Sequence, residues 1–136
     1  MKNLILIALL LTSIMYTRAQ TLQSGKYGTI GYIQSDGTIQ NTAYSAIGYI
    51  KEDGSIQNSS YMTIGYIKND GTILSSNNTT IGYVTTDGTV QNNNHFTIGY
   101  IKEDGSVQNR NYVTIGYAFD IKKEWAAVYF FFFKFQ

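Results

Sequence analysis

Apolar and polar positions along the chain alternate in short blocks that recur at a fixed interval. The tripeptide Ile-Gly-Tyr begins at six positions whose numbers differ by 17: Ile30, Ile47, Ile64, Ile81, Ile98 and Ile115. Five copies are followed at a constant distance by Asp-Gly, at positions 36–37, 53–54, 70–71, 87–88 and 104–105. A fixed period indicates one supersecondary unit used repeatedly, with each copy packing on its neighbours.

The repeat unit reads as a β-hairpin, because β-branched and aromatic residues flank a polar Asp-Gly tip. We expect five hairpins, at about 29–42, 46–59, 63–76, 80–93 and 97–110, and a closing segment at 114–136. A two-residue loop would pair Ile67 with Leu74, whereas a three-residue loop with a bulge at Gly71 would pair Ile67 with Ile73. The bulged register is favoured, since it sets β-branched residues opposite each other in all five copies.

Strand alternation predicts which residues of one hairpin share a face. Ile64 and Tyr66 are expected on one face, and Gly65, Ile67 and Ile73 on the other, so both faces are apolar. A glycine recurring inside every strand predicts strands that crowd a common axis, or an aromatic ring laid over the bare backbone. The tyrosines of the Ile-Gly-Tyr copies are interpreted as core residues between hairpins, and a sugar-stacking or protein-binding surface is the alternative.

The end of the chain contains a second strongly apolar run, after the one near its start. Residues 126–133 (AAVYFFFF) are uninterrupted apolar residues, too short a run for a membrane helix. The run predicts a strand buried in or against the core, because exposed phenylalanines would promote aggregation. The alternative is self-association through Trp125 to Phe135. The fold class is therefore all-β, with five hairpins in a closed pseudo-five-fold ring favoured over an open solenoid, because polar caps are missing from both ends.

Residues 1–19 read as a signal peptide, with Lys2 before an apolar run and Thr17-Arg18-Ala19 as the cleavage site. The remaining chain, 20–136, is expected to be one domain that is exported to the periplasm, cell surface or exterior. Loss of Lys2 and Arg18 leaves eight basic and nine acidic residues, so nucleic acid is not an expected partner. The chain has no cysteine, which excludes a disulfide framework.

The pattern TIGYIKxDGTxQNSSYxTIGYI, with the ending KEWAAVYFFFFKFQ, resembles the five-fold beta-flower family of small exported bacterial proteins. The resemblance covers nearly all of residues 20–136. It implies a pseudo-five-fold arrangement of hairpins, and it implies no activity and no functional residues. The third connector departs from the pattern, with Leu74-Ser75 where other copies have Gln-Asn.

Catalytic and metal sites are not expected. His95 is the only histidine, and it occupies a slot that otherwise mostly holds tyrosine, so it is interpreted as a packing residue. The tip aspartates are expected to cap their own turns, because calcium needs about six to eight converging oxygens. A nucleophile–base–orienter set cannot be assembled from one histidine and no cysteine. No cofactor and no enzymatic activity are predicted.

A candidate ligand or partner surface lies in the connectors between hairpins, where an aromatic residue precedes five of the six Ile-Gly-Tyr copies by three positions. Its members are Tyr27, Tyr44, Tyr61, His95 and Tyr112. The predicted function is a non-catalytic, exported binding or structural module of the bacterial cell envelope or exterior, with its ligand unassigned and a glycan or an envelope protein as candidate partners. The alternatives are a glycan-binding module that uses the connector tyrosines and a surface element that self-assembles through the tail.

Overall fold

The computed structural model describes residues 20–136, and the predicted signal peptide lies outside the described residues. Within residues 20–136 the chain is a closed barrel of twelve antiparallel strands followed by a helical tail. The strands are β1 (Gln20–Ser24), β2 (Thr29–Ile33), β3 (Thr38–Gln40), β4 (Ala46–Ile50), β5 (Ser55–Asn58), β6 (Thr63–Ile67), β7 (Thr72–Ser75), β8 (Thr80–Val84), β9 (Thr89–Asn92), β10 (Thr97–Ile101), β11 (Ser106–Asn109) and β12 (Thr114–Ala118). Each strand pairs with its neighbours in sequence, and β1 pairs with β12 to close the barrel. Strand β1 was not predicted.

The Asp-Gly tips adopt the predicted three-residue loop. Ile67 is the partner of Ile73, and the equivalent pairs form in the other four hairpins. Gly71 has a φ of 88°, a conformation that side chains disfavour. Its carbonyl accepts a hydrogen bond of 2.8 Å from the N–H of Val84 in the next hairpin. Each tip is therefore fixed both by its own turn and by its neighbour.

A β-bulge occurs in every Ile-Gly-Tyr strand. Ile56 is the partner of Gly65 and Gln57 is the partner of Thr63, which leaves Ile64 as the extra residue. The same shift falls on the isoleucine of the other five copies. The prediction that Ile64 shares a face with Tyr66 was wrong, because the bulge breaks the alternation and Ile64 packs against the core.

The barrel interior holds the β-branched residues that are paired across each hairpin, together with the start of the tail. Ile33, Ile39, Ile56 and Ile73 have no exposed surface, and neither do Ala126, Ala127 and Val128 of the tail. The tyrosines of Ile-Gly-Tyr are absent from this core and are half-buried. Their interpretation as core residues was wrong, since alternation from the inward Gly31 and Ile33 places Tyr32 on the outside.

The tail fills the barrel, as predicted, but it is a helix and not a strand. It consists of α1 (Lys123–Ala127) continued by a π-helical turn (Val128–Phe132). An added Cβ on five of the strand glycines would overlap an aromatic ring of the tail. At Gly31 the tail atom near the added Cβ is Oη of Tyr129, 3.5 Å away. The pairs are Gly31–Tyr129, Gly116–Phe130, Gly99–Phe131, Gly82–Phe132, Gly65–Phe133 and Gly48–Phe135.

The pairing of one aromatic side chain with each strand glycine accounts for the helical form of residues 128–132. Successive side chains of a helix point in successive directions around its axis, whereas those of a strand alternate between two. The helical form directs the side chains of Tyr129 to Phe132 toward four different strands, and Phe133 and Phe135 reach two more from the segment that follows the helix. Of the two interpretations of the recurring glycine, an aromatic ring over the bare backbone is confirmed at five of the six strands, and at Gly31 the tail contact is the hydroxyl of Tyr129.

Candidate functional site

The connectors are tight hairpin loops at the end of the barrel opposite the Asp-Gly tips. In the second connector the N–H of Asn41 donates to the carbonyl of Ser45 over 3.0 Å, and the N–H of Tyr44 donates to the carbonyl of Asn41 over 3.0 Å. The Asp-Gly tips show the same two bonds, for example between Gln34 and Thr38 and between Gly37 and Gln34. Both ends of the barrel therefore use the same three-residue loop.

The third loop residue has a left-handed backbone in every connector. We call these six residues the rim positions, and their φ angles lie between 61° and 66°. They are Tyr27, Tyr44, Tyr61, Asn78, His95 and Tyr112. The tip loops place glycine at this point, and a residue with a Cβ costs about 1–2 kcal/mol more there. Such strain at bulky residues is found where the surrounding structure, and often function, requires the side chain.

Aromatic stacking offsets part of that strain. Each aromatic rim residue lies on the Ile-Gly-Tyr tyrosine of an adjacent strand, with ring centroids 4.3–5.0 Å apart and planes within 14° of parallel. The stacked pairs are Tyr27–Tyr117, Tyr44–Tyr32, Tyr61–Tyr49, His95–Tyr83 and Tyr112–Tyr100. Such pairs are worth about 0.5–1.5 kcal/mol beyond their area. His95 packs as the tyrosines do, in keeping with its interpretation as a packing residue.

The rim rings remain accessible although one face of each is covered. Tyr44 is 64% exposed and Tyr112 is 69% exposed. The Tyr32 hydroxyl donates to the Tyr44 hydroxyl over 3.3 Å. This hydrogen bond is the main cause that raises the pKa of Tyr32 above its usual value, and the partner hydroxyl does the same for the pKa of Tyr49, Tyr100 and Tyr117. The rim thus presents exposed aromatic rings together with their hydroxyl groups.

All five residues of the sequence-predicted surface lie on the rim, because the connectors share one end of the barrel. The residue that follows each rim position was not predicted to belong to this surface. Met62, Phe96 and Val113 occupy this slot and are 62%, 68% and 56% exposed. The sequence repeat could have identified these residues. When the copies are aligned, three large apolar residues occupy a loop position that is otherwise Gly, Ser or Thr.

The tip aspartates cap their own turns, as predicted. Asp36, Asp53, Asp70, Asp87 and Asp104 each accept a hydrogen bond of 2.9–3.0 Å from the backbone N–H two residues later. Across the described chain, no three His, Cys, Asp or Glu residues converge in a way that could hold a metal ion. An open cleft of about 550 Å³ lies at the tips, where Lys51, Lys68 and Trp125 are part of its lining.

Acid is expected to weaken the tips between about pH 4 and pH 2. The Thr85 hydroxyl, with the N–H of Thr89, lowers the pKa of Asp87 to about 2. A carboxyl whose pKa is lowered by folding stabilises the protein above its unfolded pKa of about 3.9, and this contribution is lost as pH falls through the folded pKa. NMR titration of the Asp87 carboxyl should show the low value, and Thr85→Val should raise it. An unchanged pKa of Asp87 in Thr85→Val would contradict this cause. Asp70 is the internal control, because its loop has Lys68 at the position that Thr85 occupies beside Asp87.

Within residues 20–136, none of the helices has the length and apolar character that a membrane crossing requires. A family model described as 5-fold beta-flower protein matches residues 19–134, which is nearly the whole described chain. Comparison with curated proteins and with solved structures found no match.

Proposed function

The chain belongs to the 5-fold beta-flower family, and we propose that this member is an exported, non-catalytic binding module whose binding surface is the rim. One observation carries the proposal. Five exposed aromatic rings are kept at left-handed backbone positions where glycine would be less strained. Stacking on Tyr32, Tyr49 and their equivalents holds these rings in fixed orientations, and a preorganised aromatic surface loses little entropy on binding.

The five Asp-Gly hairpins are proposed to be quasi-equivalent units of a pseudo-five-fold ring. Their identical registers support this arrangement, and the pairing of β1 with β12 then supplies the closing position. Asn78 interrupts the aromatic series, because Tyr66 has no ring above it. The rim therefore has five aromatic positions and one polar position, so its six positions are not equivalent.

Binding to cell-envelope preparations tests the proposal. Residues 20–136 should sediment with envelope fragments, and Tyr44→Gly/Tyr61→Gly should weaken this binding about ten-fold or more, since each aromatic contact contributes about 0.5–1.5 kcal/mol. Glycine suits the left-handed backbone, so the loops should stay folded. Asn78→Gly makes the same backbone change without removing a ring and is the matched control. Absence of binding, or equal binding by both variants, would contradict the proposal.

Glycan binding through the connector tyrosines is the second candidate function. It is favoured by ring faces that lie open beside the polar Asn and Gln of the connectors. A glycan panel on which Tyr44→Ala and Tyr61→Ala lose binding would support it, and a blank panel would count against it. Self-association through Trp125 to Phe135 would require the tail rings to leave the strand glycines, so we do not propose it as the main role.

A further inference from the structure

Exposed apolar side chains are concentrated at one end of the barrel. Of the eight large hydrophobic side chains exposed in the described chain, seven lie in the connectors and only Phe119 lies at the tip end. The seven are Tyr27, Tyr44, Tyr61, Met62, Phe96, Tyr112 and Val113. Single exposed apolar residues are ordinary, but a group of this size on one face marks an interaction surface.

The tail continues this apolar surface into the centre of the rim. Ala126, Ala127 and Val128 are fully buried and close the barrel on the tip side. The rings from Tyr129 to Phe133 remain partly exposed, so solvent reaches them from the rim side. The rim end is therefore an apolar disc surrounded by aromatic loops, while the cleft of about 550 Å³ opens at the opposite end. A disc of this kind suits a planar partner better than a small molecule.

Net charge differs between the two ends of the barrel, because the tip end carries nine acidic and five basic residues. The nine acidic residues of the chain all lie at the tips or near the start of the tail: Asp36, Glu52, Asp53, Asp70, Asp87, Glu103, Asp104, Asp120 and Glu124. The connectors carry Lys26, Arg110 and His95, and Lys134 is exposed near the end of the tail. The charged side chains of the rim end are therefore basic, without acidic partners. This positive charge complements an anionic surface.

We propose that the rim end docks on a lipid bilayer surface that carries anionic headgroups. This proposal rests on the proposed function and names the partner of the same surface. Tyrosine suits the membrane interface because its ring is apolar and its hydroxyl is polar. Met62, Phe96 and Val113 insert among the lipids, and Lys26 and Arg110 contact headgroup phosphates. The acidic tips face away from the bilayer.

Vesicle flotation tests the docking. Residues 20–136, the chain expected after leader cleavage, should float with vesicles of equal parts phosphatidylglycerol and phosphatidylcholine, and much less with pure phosphatidylcholine. Lys26→Gln/Arg110→Gln should weaken binding about 20- to 30-fold, since each basic residue near such a surface contributes about one factor of five. Binding should also fall as salt is raised, because salt screens surface charge.

Control substitutions at the tip end distinguish binding through the rim from non-specific adsorption to vesicles. Met62→Ser/Phe96→Ser should reduce flotation about ten-fold or more, through the loss of two buried apolar side chains. Phe119→Ser removes the exposed apolar residue of the opposite end, and Lys51→Gln/Lys68→Gln removes two tip charges. Both controls should float as the parent does. Brominated acyl chains should quench a Phe96→Trp variant strongly and the native Trp125 weakly, which reports the orientation.

Two outcomes overturn the lipid proposal, and they are distinguishable from failure of the proposed function. If anionic vesicles do not bind the chain, or the tip controls lose as much binding as the rim variants, lipid is not the partner. Envelope sedimentation that still depends on Tyr44 and Tyr61 would then leave the rim as a binding surface for a glycan or protein. If envelope sedimentation also fails to depend on the rim, the proposed function is overturned as well.

Discussion

A chain that covers residues 20–123 is expected to unfold or aggregate. Ending at Lys123 removes the fully buried Ala126, Ala127 and Val128 and all six rings that lie against the strand glycines. A buried large apolar side chain contributes about 1.5–3 kcal/mol, and whole domains are stable by only about 5–15 kcal/mol. The barrel would be left with a hollow apolar interior that its strands cannot fill.

Light scattering after size exclusion, together with thermal unfolding, measures this effect. The 20–136 chain should give one defined species with a cooperative transition, and the 20–123 chain should give aggregates or no transition. Lys134→Ala is the matched control, since it changes an exposed tail residue and leaves every ring in place. A well-folded truncated chain would show that the tail is not part of the core.

Gly48→Ala is expected to lower the free energy of unfolding by about 1–3 kcal/mol, because the interior there is already full. An added Cβ would lie 2.7 Å from Cε1 of Phe135 and 3.1 Å from the carbonyl oxygen of Gln57. The ring is the main obstacle, so Gly48→Ala should cost much less in a Phe135→Ala background. The two substitutions should therefore be strongly non-additive.

Gly31 provides the matched control for this cycle. Its added Cβ would lie 2.6 Å from the carbonyl oxygen of Gln40, whereas the hydroxyl of Tyr129 is 3.5 Å away. The obstacle is backbone, so Tyr129→Ala should not relieve Gly31→Ala. Urea unfolding of the four single and two double variants measures both cycles. Additive costs at Gly48 would contradict the proposed fit of the Phe135 ring to that glycine, and relief at Gly31 would contradict the Gln40 carbonyl as its obstacle.

The candidate site was predicted in part. The 17-residue period placed Tyr27, Tyr44, Tyr61, His95 and Tyr112 in equivalent connectors, which was sufficient to group them. Their left-handed backbone and their stacking were not predicted, because connectors with Tyr in place of Gly do not show the usual sequence signal of this loop. The acidic tips and basic rim could be read along the chain, but only the barrel shows that they lie at opposite ends.

The sequence by itself determined the hairpins, their register at the Asp-Gly tips and the presence of the tail in the core. These features follow from local turn chemistry, cross-strand pairing and the burial of a long apolar run, which depend on residues close together in the chain. Only the tertiary structure decided the six bulges, the strand β1 that closes the barrel, the outward direction of the tyrosines and the helical form of the tail. These depend on how many strands surround one axis, because that number decides where six aromatic rings can lie.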